Sequence, residues 1–149
     1  MFVVNAYHHK KDKMPSKMNL FERKVKQKAL KRKIQQETLP SPFDKDDGTS
    51  QFSLMCKKAE IDYRLLIQAA CNEDFPLKPK FRNKAGLEYP DVFFVNQSNH
   101  LIFFIYDNRG CEVIANDKET ICFLYEKYDN LIDEVERAEM EAIFKKVEE

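Results

Sequence analysis

The stretch DVFFVNQSNHLIFFIYDNRGCEVIA, residues 91–115, decides the fold that we expect for this chain. It contains three apolar and aromatic runs, DVFFVN, HLIFFIY and CEVIA, and such runs are typical of β-strands. Gln97-Ser98-Asn99 joins the first two runs and DNRG joins the last two, and connections this short link antiparallel neighbours. Continuous apolar residues at 101–105 favour a strand covered on both faces, so we place the middle strand centrally in the sheet.

The residues that precede this stretch predict two strands and two helices. FVVNAYHH, residues 2–9, is β-branched and aromatic and predicts a strand at the start of the chain. Residues 19–37 predict a helix, because Asn19 and Glu22 have capping-box spacing before a loose apolar periodicity. SQFSLMCKK, residues 50–58, alternates as a half-buried strand does. Residues 61–75 predict a second helix, with Asp62 as its N-cap.

Two further helices are expected after the third strand of the hairpin stretch. Asn116 and Glu119 again have capping-box spacing, and residues 133–149 continue or restart the helix. The predicted order is therefore β-α-β-α-β-β-β-α-α, which indicates a single α+β domain over residues 1–149. We expect a mainly antiparallel sheet of about five strands flanked by four helices, with irregular connections at residues 40–50 and 76–90.

Composition and cysteine usage indicate a globular cytoplasmic protein. Hydrophobic residues make up 43% of the 149 residues, which is too apolar for a disordered chain. The four cysteines form no CxxC pair and no secretory segment precedes them, so we expect free, mostly buried thiols in a reducing cytoplasm. Because no apolar run approaches the roughly 20 residues of a membrane span, we expect no membrane partner.

Charge is distributed unevenly along the chain although the formal net charge is zero. Residues 1–34 carry eleven Lys or Arg against two acids, whereas residues 111–149 carry five against twelve. Two interpretations stay open. The two ends can neutralise each other within one domain, or the basic end can bind phosphates or an acidic partner.

The DNRG turn contains the residues that most resemble a site. Asp107 suits the first position of a type I turn, and Gly110 suits a left-handed fourth position that closes onto a G1 bulge. A four-residue turn would place Tyr106 opposite Cys111. Turn geometry leaves Arg109 unexplained, so we take Arg109, with Asp107 and Asn108, as candidate contact residues for a carboxylate or phosphate.

The sequence gives no reason to assign a catalytic, cofactor or metal residue. A nucleophilic Cys111 would need a base, and we favour a buried thiol over a dyad with His100. His8 and His9 are adjacent on a strand and point to opposite faces, so they cannot share a metal. With three glycines the chain has no phosphate-binding loop, and the acidic segment from Asp44 lacks the spacing of a calcium loop.

The basic residues of the first predicted helix give the clearest indication of function in the sequence. Lys24, Lys28, Lys31, Arg32 and Lys33 surround it and are candidate phosphate contacts. Binding through such a surface would be salt-sensitive and independent of sequence. The alternative is a solvated helix face without a partner.

Five motifs occur in the order in which one protein family carries them: QETLP (36–40), ACNEDFPLKPK (70–80), YPDVFFVN (89–96), IFFIYDNRGCEVIA (102–115) and LYEKYDNLI (124–132). Through these motifs the chain resembles DUF3885, a domain-of-unknown-function family of Gram-positive bacteria. The resemblance implies a bacterial, cytoplasmic setting and an N-terminally shortened chain, since members usually begin further upstream. The family turn is more often DDRG, from which Asn108 departs, and Trp is common where Leu131 stands. The resemblance implies no activity, and a loose prophage DNA-binding label in the family keeps nucleic acid open.

Three functional hypotheses follow, in order of preference. The first is a non-catalytic protein-interaction module that neutralises or regulates a bacterial protein partner. The second is nucleic-acid binding through residues 10–33. The third is an enzyme centred on the hairpin at residues 107–112. If residues 2–9 formed an exposed edge strand, a partner or a second copy could add a strand there.

Overall fold

A computed structural model describes residues 1–9, 19–42, 44–81 and 88–144. Its strands are β1 (Phe2–His9), β2 (Gln35–Pro40), β3 (Asp47–Leu54), β4 (Glu88–Asn96), β5 (Leu101–Ile105) and β6 (Cys111–Ala115). Its helices are α1 (Asn19–Lys24), α2 (Lys28–Lys31), α3 (Tyr63–Cys71), α4 (Lys118–Tyr128) and α5 (Glu134–Phe144), with 3-10 turns at Lys58–Glu60 and Asp129–Leu131. The strands form one antiparallel sheet in the order β2-β3-β1-β4-β5-β6, which confirms the predicted α+β class with one additional strand.

Strand β1 lies in the interior of the sheet. It pairs with β3 along its whole length, with Phe2 opposite Leu54, and with β4, where Phe2 lies opposite Phe94. Val4 and Ala6 are fully buried. Burying a large apolar side chain contributes roughly 1.5–3 kcal/mol, so β1 belongs to the part of the sheet that stabilises the fold. The condition for strand addition at β1, an exposed edge, is therefore not met, and the edges of the described sheet are β2 and β6.

The helix predicted over residues 19–37 begins at Asn19 as expected, but its extension to residue 37 is wrong. The chain forms α1, leaves the helix at Val25, forms the single turn of α2, and then enters β2. Val25 makes an isolated antiparallel bridge with Ile61. The Lys26 amide donates to the Glu60 carbonyl at 3.0 Å, and the Asp62 amide donates to the Lys24 carbonyl at 3.0 Å. These backbone bonds to a distant segment replace the helical bonds that residues 24–26 would otherwise make.

Strand β2 has a composition that favours a helix but pairs with β3 instead. Gln35, Gln36 and Glu37 are good helix formers, yet they lie opposite Ser53, Phe52 and Gln51. Apolar spacing misled the prediction, because Phe21, Val25, Leu30 and Ile34 are all buried in the same core although they occupy three different local structures. Tertiary pairing overrides a weak local preference of this kind.

The predicted strand at residues 50–58 and the helix after it are confirmed with shifted bounds. β3 begins three residues earlier, and its Phe52 and Leu54 are buried whereas Met55 is exposed, as the alternation predicts. Helix α3 begins at Tyr63, and the Asp62 side chain accepts from the Leu65 amide at 3.5 Å as its N-cap. The inner face of α3 packs Leu66, Ala69 and Ala70 onto the sheet.

The core lies between one face of the sheet and helices α1 and α3. Phe2 packs against Phe21 of α1 and Phe94 of β4, with ring centroids 4.9 Å apart in both pairs. β5 lies between β4 and β6, but only Ile105 of this strand is buried. β5 lies inside the sheet as expected, but its two faces are covered only in part, and the core is centred on β1, β3 and β4.

The last two helices form a hairpin beside β6. Tyr125 of α4 stacks on Phe144 of α5 with centroids 4.3 Å apart, and Lys118 donates to the Ile143 carbonyl at 2.5 Å. The cap of α4 is Asp117, which accepts from the Thr120 amide at 2.8 Å, and the capping box expected from Asn116 is therefore wrong by one residue. No helix among the described residues is long and apolar enough to cross a membrane.

Candidate interaction surfaces

The tip loop, residues 106–110, connects β5 to β6. Ile105 pairs with Cys111, so the loop has five residues and the expected pairing of Tyr106 with Cys111 is wrong. Asp107 organises the loop, because its carboxylate accepts from the Arg109 amide at 2.6 Å and from the Arg109 Nε at 2.7 Å. A second guanidinium nitrogen of Arg109 completes a bidentate ion pair with Asp107. Hydrogen bonding by Arg109 holds the pKa of Asp107 below its usual range.

Gly110 is needed for space rather than for a left-handed backbone. It does not adopt a positive φ, so the expected G1 bulge is wrong. A Cβ at this position would overlap the hydroxyl of Tyr106, whose ring folds over the loop. Within the loop, Asn108 and Arg109 are exposed, and the Arg109 side chain retains 78% of its accessible surface. Arg109 can therefore meet a partner while its ion pair with Asp107 fixes its direction.

Cys111 and His100 do not form a dyad. They lie beside opposite ends of β5, which at this strand length are about 13 Å apart. Partial desolvation raises the pKa of the Cys111 thiol, and the nearby Cys71 raises it further. A raised thiol pKa opposes nucleophilic reactivity. All four cysteines are free, as expected, but Cys111 is exposed and the other three are half-buried, so the expectation of mostly buried thiols is wrong.

The adjacent histidines of β1 contact different groups. His8 Nε2 lies 3.2 Å from the Ser50 hydroxyl, whereas His9 pairs with Asp47. In the described part of the chain, no three His, Cys, Asp or Glu side chains are grouped to hold a metal ion. These histidines thus take part in the pairing of β1 with β3.

The five candidate phosphate contacts do not share one helix surface. They are divided between α1, α2 and the turn before β2: Lys24, Lys28, Lys31, Arg32 and Lys33. Lys28, Arg32 and Lys33 are exposed and the other two are half-exposed. Arg32 and Lys33 line an open groove of about 460 Å³ together with Met1 and Met55. Between described residues, no ion pair ties any of the five to a carboxylate.

A second open groove, the Tyr63 groove, collects cations that are distant in sequence. Its volume is about 480 Å³, and its polar lining is Lys26, Lys58, Asp62, Tyr63 and Arg64. The sequence prediction missed Lys58 and Arg64, because their segment lies beside Lys26 through backbone pairing between residues that are distant in the chain. No local pattern in the sequence signals this contact.

The C-terminal hairpin surface carries most of the exposed large apolar residues in the described structure. Six of the ten exposed large hydrophobic residues lie between positions 114 and 143: Ile114, Phe123, Tyr128, Leu131, Val135 and Ile143. Val135 is 90% exposed and Leu131 is 73% exposed. No described residue of β6, α4 or α5 is buried. Sequence reasoning missed this surface, because helical spacing predicts an apolar face without showing whether anything covers it.

The last basic residues before β2 and the acidic helices after β6 lie at opposite edges of the sheet. The basic segment leads into β2 and the acidic helices follow β6, and five strand spacings separate these edges by about 24 Å. The two ion pairs between described side chains are His9–Asp47 and Asp107–Arg109, and neither joins the basic segment to the acidic helices. Ion pairs between the described residues therefore give no support to neutralisation of one end of the chain by the other.

Comparison with known proteins relates the chain to one family. A family model described as a domain of unknown function (DUF3885) matches residues 1–136. The uncharacterized protein YnaE of Bacillus subtilis (strain 168) is 45% identical to the chain over 137 residues. This match covers 89% of the chain and 64% of YnaE, so the chain spans just under two thirds of that relative's length. No solved structure matches the chain.

Proposed function

The chain belongs to the DUF3885 family, a domain of unknown function, and we propose that it is a non-catalytic domain that binds a basic protein partner through its C-terminal hairpin surface. The observation that carries this proposal is the exposure of Leu131, Val135 and Phe123 in a region where no described residue is buried. Exposed apolar residues scattered singly are ordinary on protein surfaces, but a concentration of them is typical of a docking site.

Electrostatics favour a basic partner. Residues 111–144 contain ten Asp or Glu and three Lys or Arg, which gives this region a net charge of −7. Nine of the ten acids are exposed. Exposed apolar residues in a region that carries charges of one sign favour a partner surface that is both apolar and positively charged. The acidic residues would raise the association rate, and the apolar side chains would supply most of the affinity.

Site-specific photo-crosslinking tests the proposal. A photo-reactive phenylalanine derivative replaces Val135 in one variant and Met55, which is 56% exposed at another surface, in the control. We expect one defined protein to crosslink at position 135 and not at position 55. Its purified form should bind the unmodified chain less tightly at high salt, and Leu131→Ser should weaken binding about tenfold or more. Equal crosslinking at both positions, or a partner whose binding surface is acidic, would contradict the proposal.

Nucleic-acid binding is a second candidate function, favoured by Arg32 and Lys33 beside their open groove. Contacts to phosphates would make binding decline steeply with salt and respond little to base sequence. A gel-shift titration at low salt compares the chain with a variant in which Lys28, Arg32 and Lys33 are replaced by Gln. Binding that is absent at low salt, or unchanged in the variant, would remove this candidate.

A further inference from the structure

The Tyr63 groove carries three cations at one surface. Lys26 comes from the segment between α1 and α2, Lys58 from the 3-10 turn, and Arg64 from the first turn of α3. All three residues are exposed, and Tyr63 is half-exposed between them. With Asp62 as the single carboxylate in the lining, the groove has a net charge of +2.

Backbone pairing holds the two walls of this groove together. The Val25–Ile61 bridge and the bond from the Lys26 amide to the Glu60 carbonyl join the α1–α2 segment to the start of α3. Val25 and Ile61 are both buried, so the connection is anchored in the core. The positions from which the three cations extend are therefore fixed before any ligand binds, which lowers the ordering cost of binding.

The acids near the groove are engaged elsewhere. Glu60 accepts from the Lys57 amide at 2.6 Å, and Asp62 accepts from the Leu65 amide as the cap of α3. Neither carboxylate lies within ion-pair distance of Lys26, Lys58 or Arg64, all of which belong to the described residues. No described carboxylate therefore forms an ion pair with these three cations, and the side-chain partner that Arg64 has is the neutral Tyr63 hydroxyl.

Tyr63 lies in a positive electrostatic potential within the groove. The Lys58 ammonium lies 4.8 Å from the centre of the Tyr63 ring. Hydrogen bonding by Arg64 lowers the pKa of the Tyr63 phenol, and the charges of Lys58 and Arg64 lower it further. A field that favours a phenolate also favours any other oxyanion placed beside it.

We propose that the Tyr63 groove binds the dianionic phosphate of a phosphomonoester, with Arg64 as the forked donor, Lys26 and Lys58 as point charges and the Tyr63 hydroxyl as a neutral donor. Arg presents paired N–H groups that match two phosphate oxygens, whereas Lys supplies charge without fixed geometry. A dianion matches the net charge of the lining. This groove shares no residue with the C-terminal hairpin surface, so the inference stands independently of the proposed function.

NMR titration of the ¹⁵N-labelled chain with methyl phosphate at pH 7.5 tests the inference. We expect saturable shifts of the Lys26, Tyr63 and Arg64 amides, and about tenfold or greater weakening in Arg64→Gln and Lys58→Gln. Lys31→Gln, which removes a cation outside the groove lining, should bind as the unmodified chain does. Dimethyl phosphate, a monoanionic diester like the nucleic-acid backbone, should bind much more weakly than methyl phosphate.

Two further measurements distinguish the outcomes. Lowering the pH to 5 protonates the monoester, whose second pKa is about 6, and should weaken its binding. A nucleoside monophosphate and a phosphoserine peptide then distinguish a small-molecule source of the phosphate from a protein source. The inference is overturned by shifts that do not saturate, by equal weakening in Lys31→Gln and Arg64→Gln, or by dimethyl phosphate binding as tightly as methyl phosphate.

Discussion

Replacing Phe2 with Ala tests whether the first strand of the chain is a central part of the core. The Phe2 side chain is 1% exposed and packs against the rings of Phe21 and Phe94. Removing a buried Phe ring from a core costs about 3–5 kcal/mol, and the loss of two ring contacts favours the upper half of that range. Two hydrogen bonds hold the start of β1 against β4 and limit local relaxation. The Met1 amino group donates to the Val95 carbonyl at 2.7 Å, and the Val95 amide donates to the Met1 carbonyl at 2.8 Å.

Equilibrium urea unfolding measures this loss. With a slope of about 2 kcal/mol per molar urea, a loss of about 4 kcal/mol lowers the midpoint by about 2 M. Val135→Ala is the matched control, and because Val135 is 90% exposed its free energy of unfolding should change by less than about 0.5 kcal/mol. A loss below about 1 kcal/mol for Phe2→Ala would refute the central position of β1, since a side chain on a frayed strand is removed at little cost.

Three further predictions concern polar groups. Burial raises the pKa of Asp91, whose carboxylate accepts a hydrogen bond from Tyr7, so ionisation of Asp91 opposes folding. The free energy of unfolding of the unmodified chain should therefore fall, relative to that of Asp91→Asn, as the pH rises through the pKa of Asp91 in the folded state. Urea unfolding across a pH series checks this, and a relative gain with rising pH would contradict it. Arg109→Ala should leave the urea midpoint unchanged, because the Arg109 side chain is 78% exposed, whereas a marked decrease would make its ion pair with Asp107 structural. Asp62→Ala should lower the free energy of unfolding by about 1 kcal/mol, because it removes the N-cap of α3. Urea unfolding measures this loss, and an unchanged free energy of unfolding would show that the cap does not stabilise the fold.

Local signals in the sequence correctly predicted the hairpins, helix α3 and the presence of the two C-terminal helices. β4, β5 and β6 follow from apolar runs separated by short polar connections, and Asp62 caps α3 because a cap depends only on the next three residues. Asp117 and Asn116 are both good caps, so composition could not choose between them.

The errors arise where distant residues determine the local structure. Residues 35–37 carry helical propensity, but β3 supplies a full set of strand hydrogen bonds to them. Gly110 resembles a turn glycine, although the packing of Tyr106 is what requires the absence of a side chain. The Tyr63 groove depends on the Val25–Ile61 bridge, whose residues are separated by more than thirty positions in the chain. Periodicity cannot show such contacts, because it describes only neighbours along one element.

Amide hydrogen exchange of the chain, with and without the protein that crosslinks at position 135, tests the proposed docking surface most directly. We predict that the partner slows exchange in α4, α5 and the residues that join them, and leaves α1 and α3 unchanged, because the exposed apolar residues are concentrated in the C-terminal hairpin. Protection at the Tyr63 groove or along the basic segment, with exchange in α4 and α5 unaltered, would contradict the account.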